Sequence, residues 1–277
     1  MSQFERVSRT KKCPVCDGTD WCLVAQDKTA AICPRVEKGS TKYIDGSGYL
    51  HVLVKGDRSK AYSSQAVQSY RSELPLHNTV IAEMMKTMLL KSSDKRMEDL
   101  VSNTELPGEV WLDLMTGHSR VRSAYAFPMF RKGHQLIGIR FRSPGGRKFS
   151  QKGSREGLFI PKSYDKDKRP VVVCEGPTDT AAALFFDFRT VGRPSCLGGQ
   201  KLLVELLQNQ HVCILADSDG PGQTGAQKLA QALDPVTKSV SIATPPAKDL
   251  REWKYQGCQR QDLLKLIRGA ATSQVTT

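Results

Sequence analysis

Cys213-Ile-Leu-Ala-Asp217-Ser-Asp219-Gly220-Pro-Gly222 passes from an apolar run to two carboxylates and then to Gly-Pro-Gly. With Val212 in front, the apolar run is too short for a helix and typical of a buried strand. Residues two apart in an extended chain face the same side, so Asp217 and Asp219 can point at one object. Two carboxylates that close repel each other unless a cation or a proton lies between them. Hard oxygen ligands at a strand end suit Mg²⁺ or Mn²⁺. Asp-Ser-Asp-Gly-Pro-Gly is also good turn chemistry, and on this stretch alone both readings stand.

Working outward, Val171-Val-Val-Cys-Glu175-Gly176 is a second apolar run closed by a carboxylate, followed by the helical Thr178–Phe185. A short strand is expected at Thr190-Val191, a loop at 195–199, a helix at Lys201–Leu207, and a helix at Ala226–Leu233 after the opening stretch. A strand Val240–Ala243 and a turn through Pro245-Pro-Ala-Lys248-Asp249 complete the series. Strands alternating with helices predict a parallel sheet with crossovers, in which ligands sit at the carboxyl ends of the strands. Glu175, Asp217 and Asp219 all fall at that end, and Asp249 follows the last strand. Neighbouring strands are about 4.8 Å apart, so these carboxylates can converge on one or two cations. Several independent strand-end acids are hard to obtain as turn residues alone, so the metal reading is preferred.

The 277-residue chain carries a net charge of +13. From Arg120 to Arg169 there are 14 Lys and Arg against three acids, Glu156, Asp165 and Asp167. A concentrated basic zone is the footprint of a polyanion, most often nucleic acid; a merely solubilising surface is the alternative. Within it, Ala126–Phe130, a turn at Lys132–Gln135 and Leu136–Arg142 read as a hairpin, with Arg147-Lys148-Phe149 as a further strand. By period two, Arg140 and Arg142 share a face opposite Ile139 and Phe141, and with Lys148 and Lys152 they form a positive face suited to phosphates.

Four of the eight cysteines, Cys13, Cys16, Cys22 and Cys33, lie near the N-terminus. The knuckle Cys13-Pro-Val-Cys16 precedes two short strands around Gln26-Asp27-Lys28, and the second strand ends at Cys33. This arrangement is similar to a zinc ribbon, in which a closed tetrahedral site holds together a segment too small for its own core. Cys13, Cys16 and Cys33 are three expected ligands; Cys22 and His51 are alternatives for the fourth. A redox Cys-x2-Cys pair belongs at a helix start after a strand, which this context does not offer. Cys174 and Cys213 sit inside apolar runs and read as small buried hydrophobes.

Helical patterning is expected over Thr79–Leu90, Met97–Val101 and Val110–Met115, after a polar linker. The expected organisation is a zinc ribbon over 1–55, a linker over 56–75, a basic α+β subdomain over 76–169, an α/β domain over 170–270, and a tail. No apolar run approaches the roughly 18 residues of a membrane span, and Met1–Arg6 lacks a signal-peptide core, so the expected location is the cytoplasm.

The strand-Glu175-Gly176 signature, the Asp217-x-Asp219 pair followed by Gly222, and Lys248-Asp249-Leu250 together resemble the TOPRIM domain of primases, topoisomerases and some nucleases. With the ribbon and the basic segment (Phe127-Pro128, Leu136–Arg142, Lys148-Phe149, Gly157-Leu158-Phe159), the whole chain resembles a zinc-binding DNA primase of bacterial or phage type. The resemblance implies a mixed α/β fold of ribbon, basic subdomain and TOPRIM domain. It implies that Glu175, Asp217, Asp219 and Asp249 hold catalytic Mg²⁺ or Mn²⁺, and that Arg142 and Lys148 hold the template or a nucleoside triphosphate. Asp179 either assists or simply opens its helix. The implied activity is metal-dependent synthesis of short RNA primers on single-stranded DNA, with structural Zn²⁺ in the ribbon. No Gly-x4-Gly-Lys-Ser/Thr occurs, which makes a separate replicative helicase the implied partner. A TOPRIM nuclease and a catalytically silent nucleic-acid-binding accessory are the competing readings; no segment suited to a transesterifying tyrosine favours a topoisomerase.

Overall fold

The computed structural model describes residues 4–44, 47–53 and 78–272, so the whole of the expected linker and the last five residues lie outside the described part. The chain divides into two compact units, Met1–Leu74 and Pro75–Thr277. The basic segment and the α/β segment therefore belong to one unit.

The first unit is an antiparallel sheet of β1 (Phe4–Arg6), β2 (Leu23–Ala25), β3 (Ala30–Cys33), β4 (Lys42–Ile44) and β5 (Gly48–Val52) in the order β1-β2-β3-β5-β4. Alternation divides its small core by face: Phe4, Leu23, Ala25, Ala30, Ile32 and Leu50 pack together on one side. Val7, Val24 and Ala31 join Cys13, Cys22 and Cys33 on the other. So little apolar area leaves a segment of this size marginal without a further constraint.

In the second unit, helices α1 (Asn78–Met88), α2 (Lys95–Thr104) and α3 (Gly108–Asp113) precede an antiparallel sheet. That sheet runs β6 (Gly117–Ser119), β7 (Ala124–Arg131), β8 (Gln135–Arg142) and β9 (Lys148–Ser150) in sequence order. Pro128 has no N–H, and it sits in the gap between two pairings of β7, with β6 at Ala124–Ala126 and with Leu158 at Phe130. A proline is tolerated in a strand at such an unpaired stretch. One face of this sheet, with Ala124, Ala126, Ile139 and Phe141, is covered by Ile81 and Met85 of α1.

The chain then enters β10 (Val171–Glu175), α4 (Gly176–Phe185), β11 (Thr190–Arg193), α5 (Gln200–Leu206), β12 (His211–Leu215), α6 (Gly220–Leu233), β13 (Ser239–Ala243), α7 (Leu250–Tyr255) and α8 (Arg260–Thr272). The four strands pair in parallel in the order β11-β10-β12-β13. Period-two alternation sends Val172, Cys174, Cys213 and Leu215 to a layer shared with α4, α7 and α8, and with α2, α3 and Phe127. It sends Val171, Val173, Val212 and Ile214 to the layer of α5 and α6. Both faces are covered, which is why these strands read as continuous apolar runs. Among the described residues, no helix is long and apolar enough to cross a membrane.

A single extended segment joins the two sheets. Leu158 exchanges backbone hydrogen bonds with Phe130 of β7 at 2.7 Å, and Phe159 does so with Gly192 of β11 at 2.8 and 2.9 Å. The antiparallel sheet is thereby fixed against the edge of the parallel one. Helix α6 begins earlier than the sequence predicts, because Asp219 caps it and Pro221 occupies its first turn, where the missing N–H costs nothing. Helices α7 and α8 are not predicted from the sequence at all.

Candidate metal and polynucleotide site

Strand β10 is followed in sequence by β11 on one side, and the chain then crosses to β12 on the other. Neighbouring strands β10 and β12 therefore send their continuations in opposite directions, opening a crevice at their carboxyl ends, the place where open α/β sheets bind ligands. Glu175 ends β10, and Asp217 lies two residues beyond β12. Asp219 Oδ1 accepts the Gly222 N–H at 2.8 Å, capping α6. A Cβ on Gly222 would lie 2.7 Å from Asp217 O and 3.0 Å from Asp219 Oδ1, so only glycine lets the helix start this close to both acids. Gln223 Nε2 donates to Asp217 O at 2.8 Å and fixes the loop from behind.

Asp249 reaches the same crevice from beyond β13. Its Oδ1 accepts the Glu252 N–H at 2.7 Å, and its Oδ2 lies 3.8 Å from Arg251. Asp179 is buried in the first turn of α4, and its Oδ1 accepts the Arg251 N–H at 3.0 Å. That hydrogen bond ties α4 to α7, a role beyond that of a helix-start acid. Burial pushes the Asp217 carboxyl up to about 8, reinforced by Glu175, Asp179, Asp249 and Asp219. Burial likewise raises Asp179, and the Asp249 charge adds to it. Glu175 is raised by burial despite Arg193 and Lys148. These acids sit within each other's fields, and burial and mutual repulsion together outweigh the cations near Glu175 and Asp179.

The antiparallel sheet turns its other face to this crevice. Arg142 pairs with Tyr125 on one side and with Lys148 on the other, so these side chains share that face. Arg142 Nη1 donates to Thr178 Oγ1 of α4 at 3.4 Å. Its guanidinium feels Arg251 as well as Asp179 and Asp249. Lys148 lies within the field of both Glu175 and Asp179. Arg140 shares the face but is buried, donating to Ser150 Oγ at 3.1 Å and bracing β9. Lys152 lies exposed on the turn just past β9.

Sequence reasoning missed Arg193. The expected strand stops at Val191, but β11 continues to Arg193, which stands directly beside Glu175 in the parallel register. The guanidinium is buried, donates to Cys196 O at 2.6 Å and Gly225 O at 3.1 Å, and lies 4.0 Å from Glu175. Glu175 Oε2 and Arg193 Nη2 are both buried without a hydrogen-bond partner. Arg193→Leu is expected to destabilise the fold by about 3 kcal/mol, because it removes the buried cation beside Glu175 and leaves the Cys196 and Gly225 carbonyls without their donor. In urea denaturation, adding Glu175→Gln should recover about 1 kcal/mol of that loss, measuring the pair directly.

In the first unit the Sγ atoms of Cys13, Cys16, Cys22 and Cys33 all lie within 4.8 Å of one another. Among the described residues, no other group of three or more potential ligands is gathered so closely. Cys22 Sγ is 3.6 Å from that of Cys16 and 3.8 Å from that of Cys33. Tetrahedral zinc with Zn–S near 2.3 Å requires sulfurs about 3.8 Å apart, so the donor set fits. Burial pushes the Cys22 and Cys33 thiols up. Burial acts the same way on Cys16, but the Gly18 backbone, Arg35, Cys22 and Cys33 outweigh it and bring that thiol down to about 7. Arg35 Nη1 approaches Cys16 Sγ at 3.7 Å and Cys22 Sγ at 3.6 Å, as a counter-charge to thiolates would. His51 is not in this cluster. It lies buried on β5 with Nε2 2.8 Å from Val36 O, so the alternative of His51 as fourth ligand is set aside in favour of Cys22.

No family model matches this sequence, and no curated protein matches it. Solved structures do. The Aquifex aeolicus primase, comprising zinc-binding and RNA polymerase domains, aligns over 98% of this chain and 79% of its own at TM-score 0.53 and 14% identity. This chain has the fold of the zinc-binding bacterial primases. The DnaG primase catalytic domain bound to single-stranded DNA aligns over 70% of this chain and 80% of its own, at TM-score 0.56 and 13% identity. The primase fragment of the bacteriophage T7 primase-helicase protein aligns over 60% and 72%, at TM-score 0.50 and 13% identity. The primase fold thus accounts for both the ribbon-like first unit and the two joined sheets of the second.

Proposed function

We propose that this chain is a DNA primase, a nucleotidyltransferase that makes short RNA primers on a single-stranded DNA template from nucleoside triphosphates. The observation that carries the reading is the acidic crevice at the β10–β12 switch point, faced by Arg142 and Lys148, within a primase fold. Glu175, Asp217 and Asp219, with Asp249 beside them, would hold Mg²⁺ or Mn²⁺. The raised carboxyls and the partnerless Glu175 Oε2 fit a cation, and the acids are spread more widely than a closed all-protein cage. Magnesium sites that act on nucleotides use one or two carboxylates and complete their shell with phosphate oxygens and water. When bound, such cations supply activation of a ribonucleotide 3′-hydroxyl and stabilisation of the pyrophosphate leaving group.

The protein's own groups do the positioning. Arg142, held by Thr178, and Lys148 present fixed positive charge to the phosphates of a template or triphosphate. Asp249 and Asp179 anchor α7 and keep Arg251 beside the crevice. The ribbon, with structural zinc on its four thiols, would contact the template and help select the start site. A DnaG catalytic domain of this fold has been captured on single-stranded DNA, which supports the template assignment. A neighbour of this fold comes from a primase-helicase, which supports a replicative helicase as partner.

The test is an extension assay with single-stranded DNA, ribonucleotides and Mg²⁺ or Mn²⁺. Short oligoribonucleotides that require both template and cation are expected. Cleavage of the DNA without synthesis would replace the primase with a nuclease, and neither activity would leave a binding accessory.

A further inference from the structure

Helix α7, which the sequence pattern does not reveal, brings two further side chains to the rim of the crevice. Arg251 and Tyr255 lie four residues apart on it, so they share one face of the helix, about 6 Å apart along its axis.

Arg251 is tied into the cluster around Arg142. Its backbone N–H donates to Asp179 Oδ1 at 3.0 Å, Thr178 Oγ1 lies 3.5 Å from Asp179 Oδ2, and Arg142 Nη1 donates to Thr178 Oγ1 at 3.4 Å. The two guanidiniums stand close enough to repel. Burial pushes the Arg142 guanidinium down, and the Arg251 charge adds to it. Arg251 Nη2 is 3.8 Å from Asp249 Oδ2, beyond hydrogen-bond reach, and its Nε is buried with no hydrogen-bond partner among the described residues. Two guanidiniums held together with donors unspent are suited to phosphate oxygens.

Tyr255 is 42% exposed and yet firmly held. Its hydroxyl donates to Thr104 O at 2.9 Å, and Lys254 Nζ donates to Glu105 O at 2.7 Å, so both pin α7 against the C-terminal end of α2. The Lys254 ammonium stands over the Tyr255 ring, 5.2 Å from its centre. A ring anchored at its hydroxyl, with a cation over one face, offers its other face to a second flat group. Tyr255 also lies within the field of Arg251, Arg142 and Asp249, on the crevice side of the helix.

Paired guanidiniums and an aromatic face, separated by little more than one helical turn, match the phosphate and the base of a nucleotide. A free triphosphate and a nucleotide of a strand share that chemistry. Asp249, which directly precedes α7, favours the first: phosphates gripped beside a cation ligand are those the cation itself would bind.

We propose that Arg251, together with Arg142, grips the phosphates of an incoming nucleoside triphosphate while Tyr255 stacks on its base. The proposal rests on the primase reading of the crevice and adds to it a subsite for the base. That subsite favours purines, which present the larger face.

The experiment is calorimetric titration of the full chain with ATP, CTP and tripolyphosphate in Mg²⁺, without template, beside anisotropy with a labelled oligothymidylate. Arg251→Ala should weaken ATP, CTP and tripolyphosphate alike, each roughly 10-fold. Tyr255→Ala should weaken ATP roughly 10-fold and CTP less, and leave tripolyphosphate and oligothymidylate unchanged. Tyr255→Phe keeps the ring and gives up only the Thr104 hydrogen bond, so it should stay within about 2-fold of wild type for every ligand. A merely structural Tyr255 would instead lower all the ligands together and keep the wild-type ratio of ATP to CTP affinity, which overturns the proposal. Wild-type ATP affinity in both alanine variants, no ATP binding by the wild type, or loss of oligothymidylate in place of ATP overturns it as well. The primase reading fails separately. A chain that binds ATP in the expected pattern but makes no primers sinks that reading alone, whereas synthesis with an unaltered KM for ATP in both alanine variants sinks only this subsite.

Discussion

Asp217→Asn is expected to lower primer synthesis by at least about a thousand-fold while making the cation-free protein more stable at alkaline pH. The first effect follows if Asp217 is a ligand at the centre of the acidic crevice, since a neutral amide cannot balance the charge of a cation there. The second follows from the direction of its ionisation. Burial and the surrounding carboxylates raise the Asp217 carboxyl from 3.8 to about 8 in the fold. The folded state therefore binds a proton more tightly than the unfolded chain, and stability falls as pH rises from about 4 through about 8. The amide of the variant does not titrate and escapes that loss. Calorimetric melting in buffers freed of divalent ions by a chelating resin should show the variant melting above wild type at pH 8.5. The gap should close towards pH 4. Mn²⁺ should then raise the wild-type melting temperature far more at pH 8 than at pH 5, and leave the variant little changed. A variant that keeps its activity, or a wild type whose melting ignores both pH and Mn²⁺, would remove Asp217 from the site. The resin matters because a free chelator would also strip zinc from the first unit.

Cys22→Ala is expected to loosen zinc by at least about 100-fold and to unfold the first unit. The free energy of structural zinc binding, roughly 10–16 kcal/mol, is folding free energy for a small segment, and one thiolate in four carries a large share of it. The described core of that unit is split over two faces of a thin sheet, which leaves little else to hold it. Zinc content after dialysis should fall well below one equivalent, with the unit's amide protection lost. The second unit should melt as before. His51→Ala is the discriminating control. It should keep a full equivalent of zinc and lose about 1 kcal/mol, the cost of leaving the half-buried Val36 carbonyl without its partner. If the histidine variant loses zinc and the cysteine variant keeps it, the four-thiol assignment is wrong.

Both results concern groups whose chemistry is visible in the residues before any fold is known. The four parallel strands, the carboxylates at their ends and the hairpin with Arg142 and Lys148 are legible because a strand covered on both faces is an unbroken apolar run. Such a run ends abruptly where the chain meets solvent and function. The periodicity starts helix α6 too late because Gly220-Pro-Gly222 carries the signature of a turn, and only a cap at Asp219 makes it a helix start. Helices α7 and α8 escape the sequence pattern because their apolar positions find partners only on the layer that α4 has already begun.

Sequence by itself determined which residue types stand at the strand ends, the knuckle with its nearby thiols, and the concentration of positive charge ahead of the α/β segment. Those depend on local periodicity and on chemistry that a few adjacent residues express. Tertiary structure alone decided three things, all of them matters of pairing between distant segments. Strand order placed Glu175 and Asp217 on neighbouring strands at the switch point. Register set Arg193 beside Glu175, a juxtaposition of residues 18 apart that no local pattern encodes. Packing then chose Cys22 over His51, because a buried imidazole has one place to go, and here the Val36 carbonyl already occupies it.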